Sequence, residues 1–335
     1  MSRLDTNWIQ RRDDTHFHFR LSRDLWRQSI DAAGKNYHNH RFAGNRKIYN
    51  VLEAANESRQ RGNDEAGRHY YPRKSLRIQN RVCKTEMVVM NFLTFGDGKK
   101  KSILFIHGMA SSAMLCYEPI LKYLKDYYVI LAEVDGHSPA AGELESLAKC
   151  CDEIEKYVKE NLDGRLYCLS GFSMGATMAV ELIGRRNIEV NKLHLDAAFL
   201  IKMGVLTKPY AFIFCKSIGR LNRGKRIPKF LMDSVMGKDN KGVVEMLYKD
   251  ITSKTIKSAC EFVYKYDIPD KIRDFEGSVL FWRGANEKYP EKSAALLRQY
   301  IPTLRDIVFE NMGHGQYLHE NSAEYAKGLI EYLAG

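Results

Sequence analysis

Apolar and polar positions change their spacing along the chain, and the change divides it in two. Residues 1–82 show no sustained period. Trp8, Phe17, Phe19, Leu21, Leu25, Trp26 and Ile30 supply a small apolar face, and 56–68 is polar with Gly62 and Gly67, as in a loop or linker. From Thr85 onward, short apolar runs alternate with helix-period stretches. Residues 86–95 read as a strand closed by a turn at Gly96-Asp97-Gly98. Residues 102–106 read as a fully apolar strand of the kind buried on both faces. Helices are expected over 113–125, 143–161 and 176–182, with strands over 127–132, 165–170 and 192–197 between and after them. The alternation stops over 199–275, which is helical in character with breaks at Gly219, Gly224, Pro228 and Gly237. It resumes with strands at 278–282 and 306–310 and helices at 291–299 and 322–333.

This order predicts an α/β fold with a mostly parallel central sheet flanked by helices. The expected organisation is a basic N-terminal extension (1–82), a core formed by 83–198 and 276–335, and a helical cap inserted at 199–275. A cap in that place overlies the C-terminal edge of the sheet, where such sheets bind ligands.

The sharpest chemical signal is Gly171-Phe172-Ser173-Met174-Gly175, between an apolar strand and a helix-period run. A strand that turns straight into a helix crowds the positions two before and two after its apex. Gly171 and Gly175 fit there and leave the Ser173 hydroxyl proud of the sheet. The N–H of Met174 then opens a helix and can help hold a developing oxyanion. Five letters alone match by accident roughly one time in ten in a chain this long, so the strand–turn–helix setting matters. Further signals follow at later strand ends. Gly284-Ala285-Asn286-Glu287 follows one strand, Met312-Gly313-His314-Gly315 follows the next, and Asp196 ends an earlier one.

The order serine, acid, histidine, with His107-Gly108 after an early strand, resembles the α/β-hydrolase superfamily over about residues 85–335. The resemblance implies a serine hydrolase in which Ser173 is the nucleophile and His314 its general base. Glu287 would orient the histidine, with Asp196 as the alternative acid, since the family usually has Asp where Glu287 stands. It also implies an oxyanion hole from the backbone N–H groups of Met109 and Met174, and a structural part for His107. The Asp135-Gly136-His137-Ser138 loop is read as wall geometry. The substrate class implied is a small or medium carboxylic ester, with thioester, amide and carbon–carbon bonds open to the same machinery. Met203, Val205, Leu206, Tyr210, Phe212, Phe214, Phe230, Leu231 and Met232 are the apolar cap residues available to line a pocket or to pack the cap itself.

Composition adjusts this picture in three ways. The chain has 335 residues and a net charge of +11, but 1–82 carries 17 Lys+Arg against 9 Asp+Glu, and 83–335 carries 35 against 32. Arg outnumbers Lys 14 to 3 in the first segment, and Lys outnumbers Arg 25 to 10 in the second. A near-neutral body thus follows a basic head. The head reads as a solvated extension, and nucleic acid or an anionic surface is a partner only through it, if at all. His16, His18, His38 and His40 fix no coordination shell by their spacing. Second, seven cysteines without regular spacing suggest buried thiols in a reducing, cytoplasmic setting. Third, there is no signal-like N-terminus and no run of apolar residues long enough for a membrane span. H-E-x-x-H, C-x-x-C and P-loop patterns do not occur, so no metal or cofactor is expected. The competing reading is a catalytically slack binding module directed by the basic arm.

Overall fold

The computed structural model describes residues 90–138, 142–223, 225, 228, 246–248 and 250–335. The basic head and the cap residues Phe230, Leu231 and Met232 lie outside them. The centre is a seven-stranded sheet of β1 (Asn91–Phe95), β2 (Ser102–Ile106), β3 (Tyr128–Glu133), β4 (Arg165–Phe172), β5 (Glu189–Asp196), β6 (Ser278–Gly284) and β7 (Arg305–Phe309). Their order is β1-β3-β2-β4-β5-β6-β7, with β1 antiparallel to β3 and every other pairing parallel. The mostly parallel sheet expected from the alternation is therefore present.

The pattern explains the placement. Ile103, Leu104, Phe105 and Ile106 of β2 are wholly buried, as a strand covered on both faces must be. Helix α1 (Ala113–Leu121) connects β2 to β3, and α2 (Leu147–Asn161) connects β3 to β4. These crossovers run in opposite directions along the sheet, so right-handedness puts the two helices on opposite faces. Helix α3 (Met174–Arg185) packs beside α2, and α8 (Ser322–Ala334) packs against α1. The Tyr117 hydroxyl of α1 donates to the Ile106 carbonyl (2.8 Å) and pins that helix to the end of β2.

Several helices begin or end away from their expected limits, two of them for visible reasons. Helix α2 starts at Leu147, not 143, because the Ser146 hydroxyl caps it by accepting from the Lys149 N–H. Helix α1 stops at Leu121, and 122–125 continues as turns closed by Tyr123 N–H to Ile120 and Leu124 N–H to Leu121. Between β5 and β6 the described residues form a short 3-10 turn (Gly204–Leu206), α4 (Thr207–Leu221), α5 (Ser253–Lys265) and a second 3-10 turn (Asp270–Asp274). Helix α6 (Lys288–Leu297) follows β6. A short helix that the periodicity does not announce, α7 (Gln316–Glu320), follows β7.

Among the described residues no helix is long and apolar enough to cross a membrane. The strand ends are in register: Ile106 pairs with Gly171, Phe172 with Asp196, Asp196 with Trp282, and Gly284 with Phe309. Ile106 also pairs with Ala132, so six loops, after β2, β3, β4, β5, β6 and β7, leave the sheet along one edge.

Candidate active site

Ser173 stands between the end of β4 and the first residue of α3. Its φ of 54° and ψ of −114° lie in a region that a residue with a side chain rarely adopts, at a cost of about 1–3 kcal/mol. The surroundings enforce this conformation. The Ser173 N–H donates to the Asp196 carbonyl at 2.8 Å, while the Ser173 carbonyl accepts from Ala176 and Thr177 in the first turn of α3. A Cβ on Gly171 would collide with the Gly175 carbonyl, and one on Gly175 with the Ile106 carbonyl. Both glycines are therefore required by close backbone approach.

His314 comes to this serine from the loop after β7. Its Nε2 is 2.9 Å from Ser173 Oγ, and its Nδ1 is 2.6 Å from Glu287 Oε1. A proton on Nδ1, facing the carboxyl, leaves the Nε2 lone pair toward the hydroxyl. Gln316 holds this loop by accepting from the Gly313 N–H (2.9 Å), a contribution no sequence signal indicated. Gly315 sits at φ 70°, which disfavours any side chain, and a Cβ there would crowd Met246 and the Phe172 ring. The Phe172 ring, from inside the G-x-S-x-G stretch, lies 5.0 Å from the imidazole.

Glu287 is buried, and both of its oxygens are engaged. Oε2 accepts from the Gly284 N–H (2.5 Å) and Oε1 faces His314. The loop stays tight through Asn286 N–H to the Met312 carbonyl and Ala285 N–H to the Phe309 carbonyl. Asp196 is also buried but makes no hydrogen bond to the histidine. Desolvation, and then the nearby Glu287, push its carboxyl up to about 7. Its Oδ2 and the Tyr325 hydroxyl both lack a partner within hydrogen-bond distance, although the hydroxyl is near enough to draw the carboxyl's pKa partly back down.

The loop after β2 passes close to the serine: a Cβ on Gly108 would press on the Phe172 ring and lie 3.5 Å from Ser173 Cβ. Among the described residues the Met109 and Met174 amides donate to no backbone carbonyl. His107 has a different part. Its Nε2 accepts from the Val134 N–H (3.0 Å) and its Nδ1 donates to the Gly108 carbonyl (2.9 Å). Burial, with His137 nearby, lowers its pKa to about 3, so it stays neutral and ties two loops together. Glu133 beside it is raised to about 8 by burial, while both of its oxygens accept from the Ala113 N–H at the start of α1. In the Asp135–Ser138 loop, the His137 ring is likewise buried and lowered to about 4.

Residues of the β5–β6 insertion reach this edge. The Tyr248 N–H donates to the Ala110 carbonyl (2.8 Å), and Cys260 Sγ lies 3.6 Å from Met109 Sδ. Of the apolar residues considered for a pocket, Met203 and Phe214 are buried and Tyr210 is half-buried, its hydroxyl 3.0 Å from that of Tyr289. Val205 and Leu206, on the 3-10 turn before α4, face solvent instead, as does Phe212, which falls on the outer side of the helix whose inner side carries Thr207, Ala211, Phe214 and Ile218. Among the described residues no group of acidic, cysteine or histidine side chains has metal-binding geometry.

No protein-family profile and no curated protein sequence matches the chain. Solved structures do. One is a protein assigned to the α/β hydrolase family from Desulfitobacterium hafniense, 25% identical, with 72% of this chain and 100% of that one aligned at a TM-score of 0.66. Another is a lipase-esterase related protein from Clostridium acetobutylicum, 18% identical, covering 72% of this chain and 99% of its own, at 0.57. A third is the enol-lactonase from Burkholderia xenovorans, 14% identical, covering 73% and 96%, at 0.59.

Proposed function

We propose that this chain, which has the α/β-hydrolase fold, is a serine hydrolase that cleaves a small or medium carboxylic ester through an acyl-enzyme. The observation that carries the reading is the unbroken hydrogen-bonded path from Ser173 Oγ to His314 Nε2 and from His314 Nδ1 to Glu287. A free serine hydroxyl is a weak nucleophile at neutral pH, and an imidazole within 2.9 Å removes that obstacle.

In the first half-reaction Ser173 Oγ attacks the carbonyl carbon and its proton passes to His314 Nε2. Glu287 keeps the ring in the tautomer needed and stabilises the imidazolium. Negative charge develops on the carbonyl oxygen, where the N–H groups of Met109 and Met174 would receive it. Collapse of this intermediate breaks the ester C–O bond, and the leaving alcohol takes the proton from His314. In the second half, water attacks the acyl carbon while His314 accepts its proton. The proton then returns to Ser173 as the acid departs. The helices between β5 and β6 act as a cap, and the contacts of Tyr248 and Cys260 with the loop after β2 support that part. The small or medium carboxylic ester and the cytoplasmic setting belong to the same proposal. The esterase, lactonase and lipase-related neighbours support acyl chemistry on this fold without fixing the substrate.

Labelling with a fluorophosphonate probe tests the reading. Wild type should label covalently, and Ser173→Ala and His314→Ala should not. p-Nitrophenyl esters of increasing acyl length would then rank the substrate. A folded wild type that takes no label overturns the proposal.

A further inference from the structure

Beyond the serine site, the outer side of the β5–β6 insertion has an unusual composition. Residues 197–232 contain eight Lys or Arg and no Asp or Glu, although 83–335 as a whole is nearly balanced. In the described part, Lys202 is paired with Asp267, and the other cations follow one stripe and its C-terminal end. Lys208, Phe212, Lys216 and Arg220 are all exposed and follow one another at spacings of four residues, so α4 presents them on one side, and the exposed Val205 lies on the 3-10 turn that leads into it. Arg223 and Lys225 extend the basic end. Val205 is 92% exposed, Phe212 61% and the adjoining Leu206 48%. Lys216 Nζ lies 5.3 Å from the centre of the Phe212 ring.

A water-facing helix side ordinarily carries polar residues. Here three large apolar side chains stand out among cations with long aliphatic stems. We propose that this face docks on an anionic lipid surface, with Val205, Leu206 and Phe212 entering the headgroup region and the surrounding Lys and Arg side chains meeting lipid phosphates and carboxylates. Charge and shape exclude the other occupants. A second copy seated on the same face would set this basic stripe against itself. Nucleic acid would find charge and the Phe212 ring, but Val205 and Leu206 offer it nothing to stack on.

The inference is independent of the serine chemistry, and its test is built to keep the two apart. Full-length protein is sedimented with vesicles of phosphatidylcholine and with mixed phosphatidylcholine–phosphatidylserine vesicles. Wild type and Ser173→Ala should bind the mixed vesicles equally and the neutral ones weakly. The pair Lys208→Glu and Lys216→Glu should lower partitioning at least about tenfold, since each Lys or Arg near the surface contributes roughly 1 kcal/mol. The pair Val205→Ser and Phe212→Ser should lower it as well, with the charge intact. Phe212→Trp should gain a blue-shifted emission that bromine-labelled lipid chains quench, over the wild-type signal. Vesicle binding unchanged in both double variants would assign it to residues 1–82 and overturn the inference. Absence of the quenching signal would overturn it too, and equal competition by short RNA would then mark a nucleic-acid surface instead.

Discussion

Two carboxyls stand at the ends of neighbouring strands, and the fold has treated them differently. Glu287, three residues beyond the last residue of β6, has the Gly284 N–H on one oxygen and the His314 ring on the other. Asp196, the last residue of β5, is equally hidden from water but has an oxygen with no partner, and its pKa is pushed up to about 7. Position at the sheet edge therefore does not make a carboxyl useful to the histidine. Donors aimed at it do, because burial without them favours the neutral acid.

The largest effect expected from this contrast is on turnover. Glu287→Gln should lower kcat by about 10⁴, as loss of the orienting acid does in serine proteases, while Asp196→Asn should stay within about tenfold of wild type. Steady-state kinetics on the best p-nitrophenyl ester decides it, and the reverse ranking would exchange the two roles. A smaller effect is expected from Gly284→Ala. The added Cβ would run into the Met312 carbonyl and come within 3.2 Å of Glu287 Oε2, so the carboxyl must shift. A misplacement of about 1 Å costs roughly 10² in rate, which sets the upper end of the loss expected here. Circular dichroism on the same sample should show an intact fold.

The smallest effect is on stability and comes from Asp196 alone. Its folded pKa is about 7 and an unfolded aspartate titrates near 3.9, so between these values the native protein holds more protons than the unfolded chain. Its contribution to stability is greatest below the lower value and declines as pH rises to the higher one. Asparagine has no such proton to lose. The Tm of Asp196→Asn relative to wild type should therefore climb between about pH 4 and about pH 7 and then level off. A flat difference would mean that Asp196 is no more perturbed than a surface acid.

Much of this arrangement was readable from residues. The apolar run at 102–106 became β2 without a shift, and the glycines flanking Ser173 meet the close approaches that the spacing implied. Glu287 and Asp196 could be shortlisted because both end strands, but periodicity carries no information on which oxygen receives an N–H. That depends on the path of a three-residue loop. Gln316 was invisible for a related reason: α7 is too short to display a period, and its first side chain works by folding back on Gly313. Val205, Leu206 and Phe212 neither pack the cap nor hide from water, a point the pattern leaves open, since apolar residues at helical spacing look alike whichever side faces inward.

The bond between His314 and Ser173 joins residues 141 apart in sequence, and the strand that carries the serine is itself paired to β2, about 65 residues before it. Contacts this distant form late, because loop closure precedes any reward for it. Refolding from denaturant should therefore restore helical signal well before it restores turnover of a p-nitrophenyl ester. The interval between the two would time the arrival of the C-terminal strands, making hydrolysis a clock for the last stage of folding.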